Sequence, residues 1–480
     1  MDESLLHYFW RNKLFATVPL VTTDGRELQI LRTGVPHKDA GPDFKQAVVK
    51  LDEITWAGDV EIHVRASDWL RHGHQHDEKY GTIVLHVVYE EDVGLGLPCS
   101  TLELKRYIPP SLIAEYEHLS RSTELLPCRS FLPSVTQLQF SGWLSRLAAE
   151  RYERRQQEVF DVLHTCHDSW HEAVFRRFVT NFGFRTNAAA FELLGRSLPY
   201  RYVLKHKDSR LQVYALVFGQ AGMLEEECVD VGYEKGAGGW RNGRGDVRGG
   251  EGGRGRAGGT VCRGDGRGDG SGDNDGLEHD EYYRMLQGEY RYLRYKYALS
   301  PIPLRMWNLL RLRPQNFPCV RLAQLSECLY RIPDLMEQLL HCEDVASLSH
   351  ISDFVPNEYW ETHRHFGRSS PHHSCQIGSQ TVKLLVINTV VPVRLAYATF
   401  HGEDALKEKA FSLLEQLDFE SNVITRQYVG AGFPNGSALY SQAILELHKN
   451  YCTPKQCLHC DIGCLILKRK SSEKQLFTAS

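Results

Sequence analysis

The chain has no uncharged apolar run of the roughly eighteen residues that a membrane-spanning helix needs, so no span is expected. Its opening, MDESLLHYFWRNKLF, is acidic and lacks the continuous apolar stretch of a secretion signal. A cytoplasmic location is the expectation. Net positive charge is also missing: 56 Lys and Arg face 60 Asp and Glu, a formal charge of −4. The chain as a whole is therefore no polycation, and any contact with DNA or RNA must come from a local patch. Cysteine is not scarce, at thirteen residues. Without a secretion signal these read as reduced thiols or metal ligands rather than disulfides.

At 480 residues, 42% hydrophobic and 24% charged, the chain has a globular composition and enough length for more than one core. Residues 1–110 read as mixed α/β. A helix over SLLHYFWRNKLF is followed by three strands, ELQILRTG, FKQAVVKL and TWAGDVEIHV. A short helix in SDWLRHGHQHDEKYG, capped by Ser67 or Asp68 and stopped by Gly81, precedes a fourth strand, TIVLHVVYEE. Residues 111–235 and 277–450 have helical periodicity, and 451–470 form a cysteine-rich C-terminal motif. Between the helical parts, residues 236–276 hold 18 glycines in 41 positions and are expected to be a disordered insertion. The predicted fold class is α+β: a mixed sheet flanked by helices, then a large mostly helical region.

Within AGPDFKQAVVKL…WAGDVEIHV, alternation puts Val60, Ile62 and Val64 on one face and Asp59, Glu61 and His63 on the other. A turn near Asp52, Glu53 and Ile54 would return the second strand along the first and bring Asp43 to the Glu61–His63 end. Two carboxylates converging there suit a hard divalent cation such as Mg²⁺, with water and a substrate phosphate completing its shell. His63 would position or deprotonate that water. The same alternation also describes an ordinary hairpin with a polar outer face. The nearly continuous apolar run TIVLHVV argues that both sheet faces are covered, which leaves those polar side chains less reason to be solvent decoration.

The order of helix, strand, strand opening with Pro42-Asp43, strand bearing Glu61-Ile62-His63, helix and strand resembles the core of the PD-(D/E)XK nuclease superfamily. The resemblance implies Asp43 and Glu61 as Mg²⁺ ligands and Glu3 as the acidic residue some members contribute from the first helix. A lysine usually stands where this chain has His63, and Lys45 or Lys50 are the stand-ins. Nearly the whole length resembles a bacterial family named domain of unknown function 2851. The stretches that carry it include HKDAGPDF, FGQAG, LRPQNFPCVRLAQL, INTVVPV and SQAILELHKNYCTPKQCLHCDIGCLILK.

YCTPKQCLHCDIGC sets Cys452, Cys457, Cys460 and Cys464 within thirteen residues. A Cys-x-x-Cys turn lets two sulfurs reach one centre, and the compact run suits a 4Fe–4S cluster, Zn²⁺ or free thiols. Resemblance to superfamily nucleases with a C-terminal cluster favours a structural staple; His459 or a distant residue is an alternative fourth ligand. In RHGHQHD, His72 and His76 are four apart and could share a helical face as zinc ligands or as packing residues. The stretch 290–321 interleaves Arg291, Arg294, Lys296, Arg311 and Arg313 with tyrosines and holds no acid. That patterning suits a phosphate backbone with unpaired bases, or an amphipathic helix whose tyrosines are core. The expected function is a Mg²⁺-dependent nuclease cutting phosphodiester bonds in DNA. The alternatives are an inactive nuclease-fold protein that binds nucleic acid, and a structural or adaptor protein.

Overall fold

The structure is a computed structural model that describes residues 1–15, 19–37, 40–184, 186–225, 280–309, 312 and 316–475. The glycine-rich segment, Arg311 and Arg313 lie outside the described residues. The chain divides into two compact units, Met1–Arg151 with Asp418–Ser480, and Tyr152–Leu417. The C-terminal cysteine motif thus belongs to the same unit as the α/β core.

The first unit is built on a seven-stranded mixed sheet. Its strands are β1 (Leu20–Val21), β2 (Glu27–Arg32), β3 (Val35–Pro36), β4 (Phe44–Leu51), β5 (Ile54–Arg65), β6 (Ile83–Glu90) and β7 (Ser100–Glu103). The spatial order is β1-β2-β4-β5-β6-β7, with β3 paired to β4. Pairing is antiparallel from β1 to β5, because β4 and β5 are joined by the tight turn at Asp52–Glu53. Asp52 takes a left-handed φ of 51°, and its carboxylate accepts a hydrogen bond from the Glu27 amide at 3.0 Å. From β5 to β7 the pairing is parallel, because the segment between β5 and β6 crosses over one sheet face.

Helix α1 (Glu3–Asn12) starts where Asp2 accepts the Leu5 amide at 2.8 Å. It buries Leu5, Leu6, Phe9 and Trp10 in one core with Val60, Ile62, Leu85 and Val87 of β5 and β6. Each such side chain contributes about 1.5–3 kcal/mol. Leu467 of the C-terminal helix Asp461–Gln475 and Leu112 of the helix Pro110–Arg121 join the same core. The opposite face of β5 is also covered, so Glu61 and His63 are buried as well as Val60 and Ile62.

Helix α2 (Asp68–His72) is shorter than the sequence predicts. Gly73 ends it in the left-handed region at φ 75°, eight residues before Gly81. A 3-10 turn, His74–His76, then sends the chain in a new direction.

The second unit is helical. Phe175, Phe178, Phe182, Tyr214, Phe218 and Trp360 form part of its buried core. At Gly219 a Cβ would meet the Tyr290 ring at 2.1 Å, so only glycine allows the helices Arg210–Gln220 and Glu281–Tyr297 to approach so closely. Buried Glu327 accepts from Arg210 Nε at 2.8 Å, Tyr214 OH at 2.8 Å and Arg331 Nε at 2.5 Å. Among the described residues one segment, Ser379–His401, is long and apolar enough to cross a membrane, and 83% of its most apolar 18-residue window is buried inside the protein.

Candidate metal centre

Asp43 and Glu61 are locked together by reciprocal bonds. The Asp43 amide donates to Glu61 Oε2 at 3.1 Å, and the Ile62 amide donates to Asp43 Oδ2 at 2.9 Å. A β-bulge in β4 between Phe44 and Ala47 sits beside this lock. There Gln46 takes φ 58° and its amide donates to Asp59 Oδ1 at 3.0 Å. Thr82 Oγ1 donates to the other oxygen of Asp59 at 2.7 Å, so Asp59 is fully engaged in holding the bulge. Bulges re-aim side chains next to functional sites.

On α1, Glu3 and His7 are one helical turn apart, and His7 Nε2 lies 3.3 Å from Asp43 Oδ2 and 3.9 Å from Glu3 Oε1. One donor atom from each of Glu3, His7 and Asp43 lies within 4.8 Å of the others. Glu61 Oε1 points the other way, 3.2 Å from His74 Nε2 and 3.6 Å from His63 Nε2. His63 Nδ1 is 3.0 Å from Nε2 of His86, which β6 places in register with Glu61. His7 Nε2, His63 Nε2 and His74 Nε2 are buried and make no hydrogen bond. A buried polar atom left so costs about 1–3 kcal/mol.

The electrostatics agree. Burial, reinforced by Asp43 and then Glu3, pushes the Glu61 carboxyl up to about 8. Burial, then the neighbouring imidazoles with His86 foremost, pushes His63 down to about 2, and burial takes His86 down to about 4. Carboxylates and imidazoles are thus gathered together, with His63 and His86 held neutral, a set of donors that a divalent cation completes. The residues present fit such an ion. A cavity of about 420 Å³ opens beside them, lined by Ser4, His7, Arg11, His37, Asp43 and His459 among others.

The expected trio of Asp43, Glu61 and His63 is brought together. Lys50 is not part of the site: its ammonium pairs with Glu53 at 3.0 Å, at the β4–β5 turn. Lys45 lies on β4 in register with Val35 of β3. His72 is joined by His74 rather than by His76, which is exposed. His7, His74 and His86 were missed. For His7 the available signal was its spacing of four from Glu3 on an amphipathic helix.

The C-terminal thiols form a second constellation. Burial and the adjoining Cys452 and Cys457 push Cys128 up to about 12. Cys452 is pushed up to about 11 by burial, with Cys457 adding to it, and Cys460 is raised by burial and by Cys452 and Cys128. Cys128, far upstream in sequence, therefore shares surroundings with three members of the motif. Lys455 bonding to the Glu124 carbonyl and Arg129 donating to the Gly430 carbonyl at 3.3 Å tie the segments together. At Gly463 a Cβ would meet the Cys457 carbonyl oxygen at 2.1 Å, which explains the glycine within the motif. Cys464 stands beside Cys457, and its own thiol donates to the Leu458 carbonyl at 3.2 Å. His459 lines the cavity beside Asp43. The described cysteines are all free thiols.

In the second unit, the helix Glu281–Tyr297 buries Tyr283, Leu286, Tyr290 and Leu293. Arg294 pairs with Glu225 at 2.8 Å, and Lys296 sits over the rings of Tyr292 and Tyr297 at 5.5 and 5.3 Å. Arg291 lines a cavity on this helix together with Arg294.

No curated protein and no solved structure matches the chain. A family model described as "Protein of unknown function (DUF2851)" matches residues 3–237 and 274–423. The matched span skips most of the glycine-rich segment, stops before the cysteine motif and includes every residue of the carboxylate–histidine cluster. With most of its length covered, the chain belongs to that family.

Proposed function

We propose that this chain is a divalent-metal-dependent phosphodiesterase, a nuclease acting on DNA. The observation that carries the reading is the Asp43–Glu61 lock, set beside Glu3 and His7 with buried imidazole nitrogens aimed at its carboxylates. Asp43, Glu61, Glu3 and His7 would hold the ion, Mg²⁺ or Mn²⁺. When bound, the ion acidifies a water and neutralises charge on the attacked phosphate. His63 is a positioning residue: an imidazole pushed down to about 2 takes up a proton poorly, so it lines the Glu61 carboxylate at 3.6 Å rather than acting as base. Arg11, in the adjoining cavity, would meet substrate phosphate.

Purified protein is offered single- and double-stranded DNA and RNA with Mg²⁺ or Mn²⁺, and again with a chelator. Metal-dependent cleavage is expected, lowered by orders of magnitude in Asp43→Asn and Glu61→Gln and unchanged in Glu53→Gln, at the exposed turn. Wild-type protein that cleaves nothing and binds no Mn²⁺ rejects the reading. Binding of nucleic acid without cleavage replaces it with that of an inactive nuclease-fold binding protein.

We infer in addition that Cys128, Cys452, Cys457 and Cys460 hold a 4Fe–4S cluster or Zn²⁺ as a staple for the first unit. Cys128→Ser and Cys460→Ser should lose the metal and lower the melting temperature, whereas Cys464→Ser and Cys99→Ser should keep both. Metal retained in Cys128→Ser but lost in Cys464→Ser would reverse the assignment of the fourth ligand.

A further inference from the structure

We propose that His63, His72 and His74 form a second divalent-metal site of their own, one that takes Zn²⁺, Fe²⁺ or Co²⁺ and shares Glu61 with the carboxylate site. Three observations carry it. The first is the disposition of the rings. Their centroids are 5.2 Å apart for His63–His72, 5.2 Å for His63–His74 and 5.4 Å for His72–His74. A metal–nitrogen bond of about 2 Å and tetrahedral angles put the centroids of three ligating imidazoles about 5 Å apart. One nitrogen from each ring lies within 4.8 Å of the others.

The second is the tautomer. His63 is 1% exposed and its Nε2 has no hydrogen-bond partner. Its Nδ1 is 3.0 Å from His86 Nε2, so one of the two must donate. With the proton on His63 Nδ1, the Nε2 lone pair faces the cluster, and His86 becomes the outer partner that ligating histidines usually have.

The third is the fourth donor. Glu61 Oε1 stands 3.2 Å from His74 Nε2 and 3.6 Å from His63 Nε2, while its other oxygen is tied to the Asp43 amide. Glu61 thus stands beside both clusters, with one oxygen toward each. Gly73 makes the arrangement possible, because its left-handed φ of 75° ends α2 and turns His74 back beside His72. Trp69 closes one side, with its ring 5.3 Å from His74 and 6.2 Å from His63. His72 is exposed, which leaves the site open to solvent and to a substrate oxygen. Imidazole donors select borderline transition metals over Mg²⁺, so the two clusters differ in the ion they prefer.

The proposal deepens the nuclease reading only through the shared Glu61, and one titration separates the two. Co²⁺ is added to the full chain and followed by its visible bands. Ions at the cysteines announce themselves by near-ultraviolet sulfur charge-transfer absorption and are counted apart. Wild-type protein should take two Co²⁺ outside the thiols. His72→Ala and His74→Gln should each take one, and Asp43→Asn should also take one, with the spectrum of the histidine site. Should both histidine variants bind as many ions as wild type, the second site is overturned and the carboxylate site stands. A single ion in wild type, lost in the histidine variants and kept in Asp43→Asn, upholds the second site and sinks the carboxylate one. No Co²⁺ outside the thiols overturns both. His72 lies at the surface, so its removal should leave folding intact, and circular dichroism of each variant verifies that.

Discussion

Two buried carboxylates, one in each unit, are treated in opposite ways. Glu327 in the helical unit is fully buried and met by two guanidinium groups and a phenol. Glu61 in the α/β unit is 4% exposed and meets an amide, a second carboxylate nearby and imidazoles that make no hydrogen bond to it. A satisfied buried charge is a structural element. A buried carboxylate surrounded by other carboxylates and neutral imidazoles is costly until something positive joins it. The contrast separates a structural network from a functional one without any motif.

The largest effect that tests this contrast is on chemistry. Glu61→Gln keeps the shape and removes the charge, so cleavage should fall by about three orders of magnitude, or about 4 kcal/mol of barrier. Single-turnover rates in Mn²⁺ measure it, and an unchanged rate would put Glu61 outside the chemistry. Next comes the satisfied network. Glu327→Ala removes the shared acceptor of Arg210, Tyr214 and Arg331, and since both guanidinium groups can turn to solvent it should destabilise the protein by about 1–3 kcal/mol in urea unfolding. A cost below about 1 kcal/mol would mean that solvent already shares that network.

A third effect is the dependence of stability on pH without metal. Burial raises the Glu61 carboxyl from the ordinary 4.5 to about 8. Between these values the folded state holds a proton that the unfolded state has released, so stability falls as pH rises from 4.5 to 8. His63 and His86 act oppositely: they are depressed from 6.5, so the stability they carry is present above 6.5 and lost as pH falls below it. The apo protein should therefore be most stable near the middle of this range. Its melting temperature should drop between 6.5 and 8, where only Glu61 contributes, and the drop should vanish in Glu61→Gln or with Mn²⁺ added. A flat profile in chelator would contradict the burial of that carboxyl.

How far the sequence reveals this site depends on the range over which each part is encoded. Asp43, Glu61 and His63 follow from strand alternation and one tight turn, so local periodicity suffices. Strands β2, β4, β5 and β6 are legible to the same degree, whereas β1, β3 and β7 are two to four residues long, too short for periodicity to show. His74 is not legible. The periodicity of SDWLRHGHQHD continues the helix through it, whereas Gly73 breaks the helix and pairs His72 with the residue beyond the break. A left-handed glycine decides this, and glycine is compatible with either path. Cys128 escaped for another reason: its approach to Cys452 and Cys457 is set by packing between distant segments, which no spacing records. His86 looks like one polar residue in an apolar strand, and only the register Glu61↔His86 gives it a role.

The smallest effect concerns the exposed cations of the helix Glu281–Tyr297, where the contrast between satisfied and unsatisfied groups is weakest. Arg294 and Glu225 are both partly exposed, and Lys296 rests on two tyrosine rings in solvent. Surface pairs of this kind contribute about 0–1 kcal/mol, so Arg294→Ala and Lys296→Ala should leave urea unfolding almost unchanged. Their effect on nucleic acid is a separate quantity. If this helix tracks a phosphate backbone, each substitution should weaken DNA binding and reduce the slope of log affinity against log salt by about 0.7–0.9. If its tyrosines only pack and its cations only face water, as the burial of Tyr283 and Tyr290 already accounts for, neither number moves. Binding measured at several salt concentrations decides between these. A change in affinity with no change in slope would mean that the lost contact was not to phosphate.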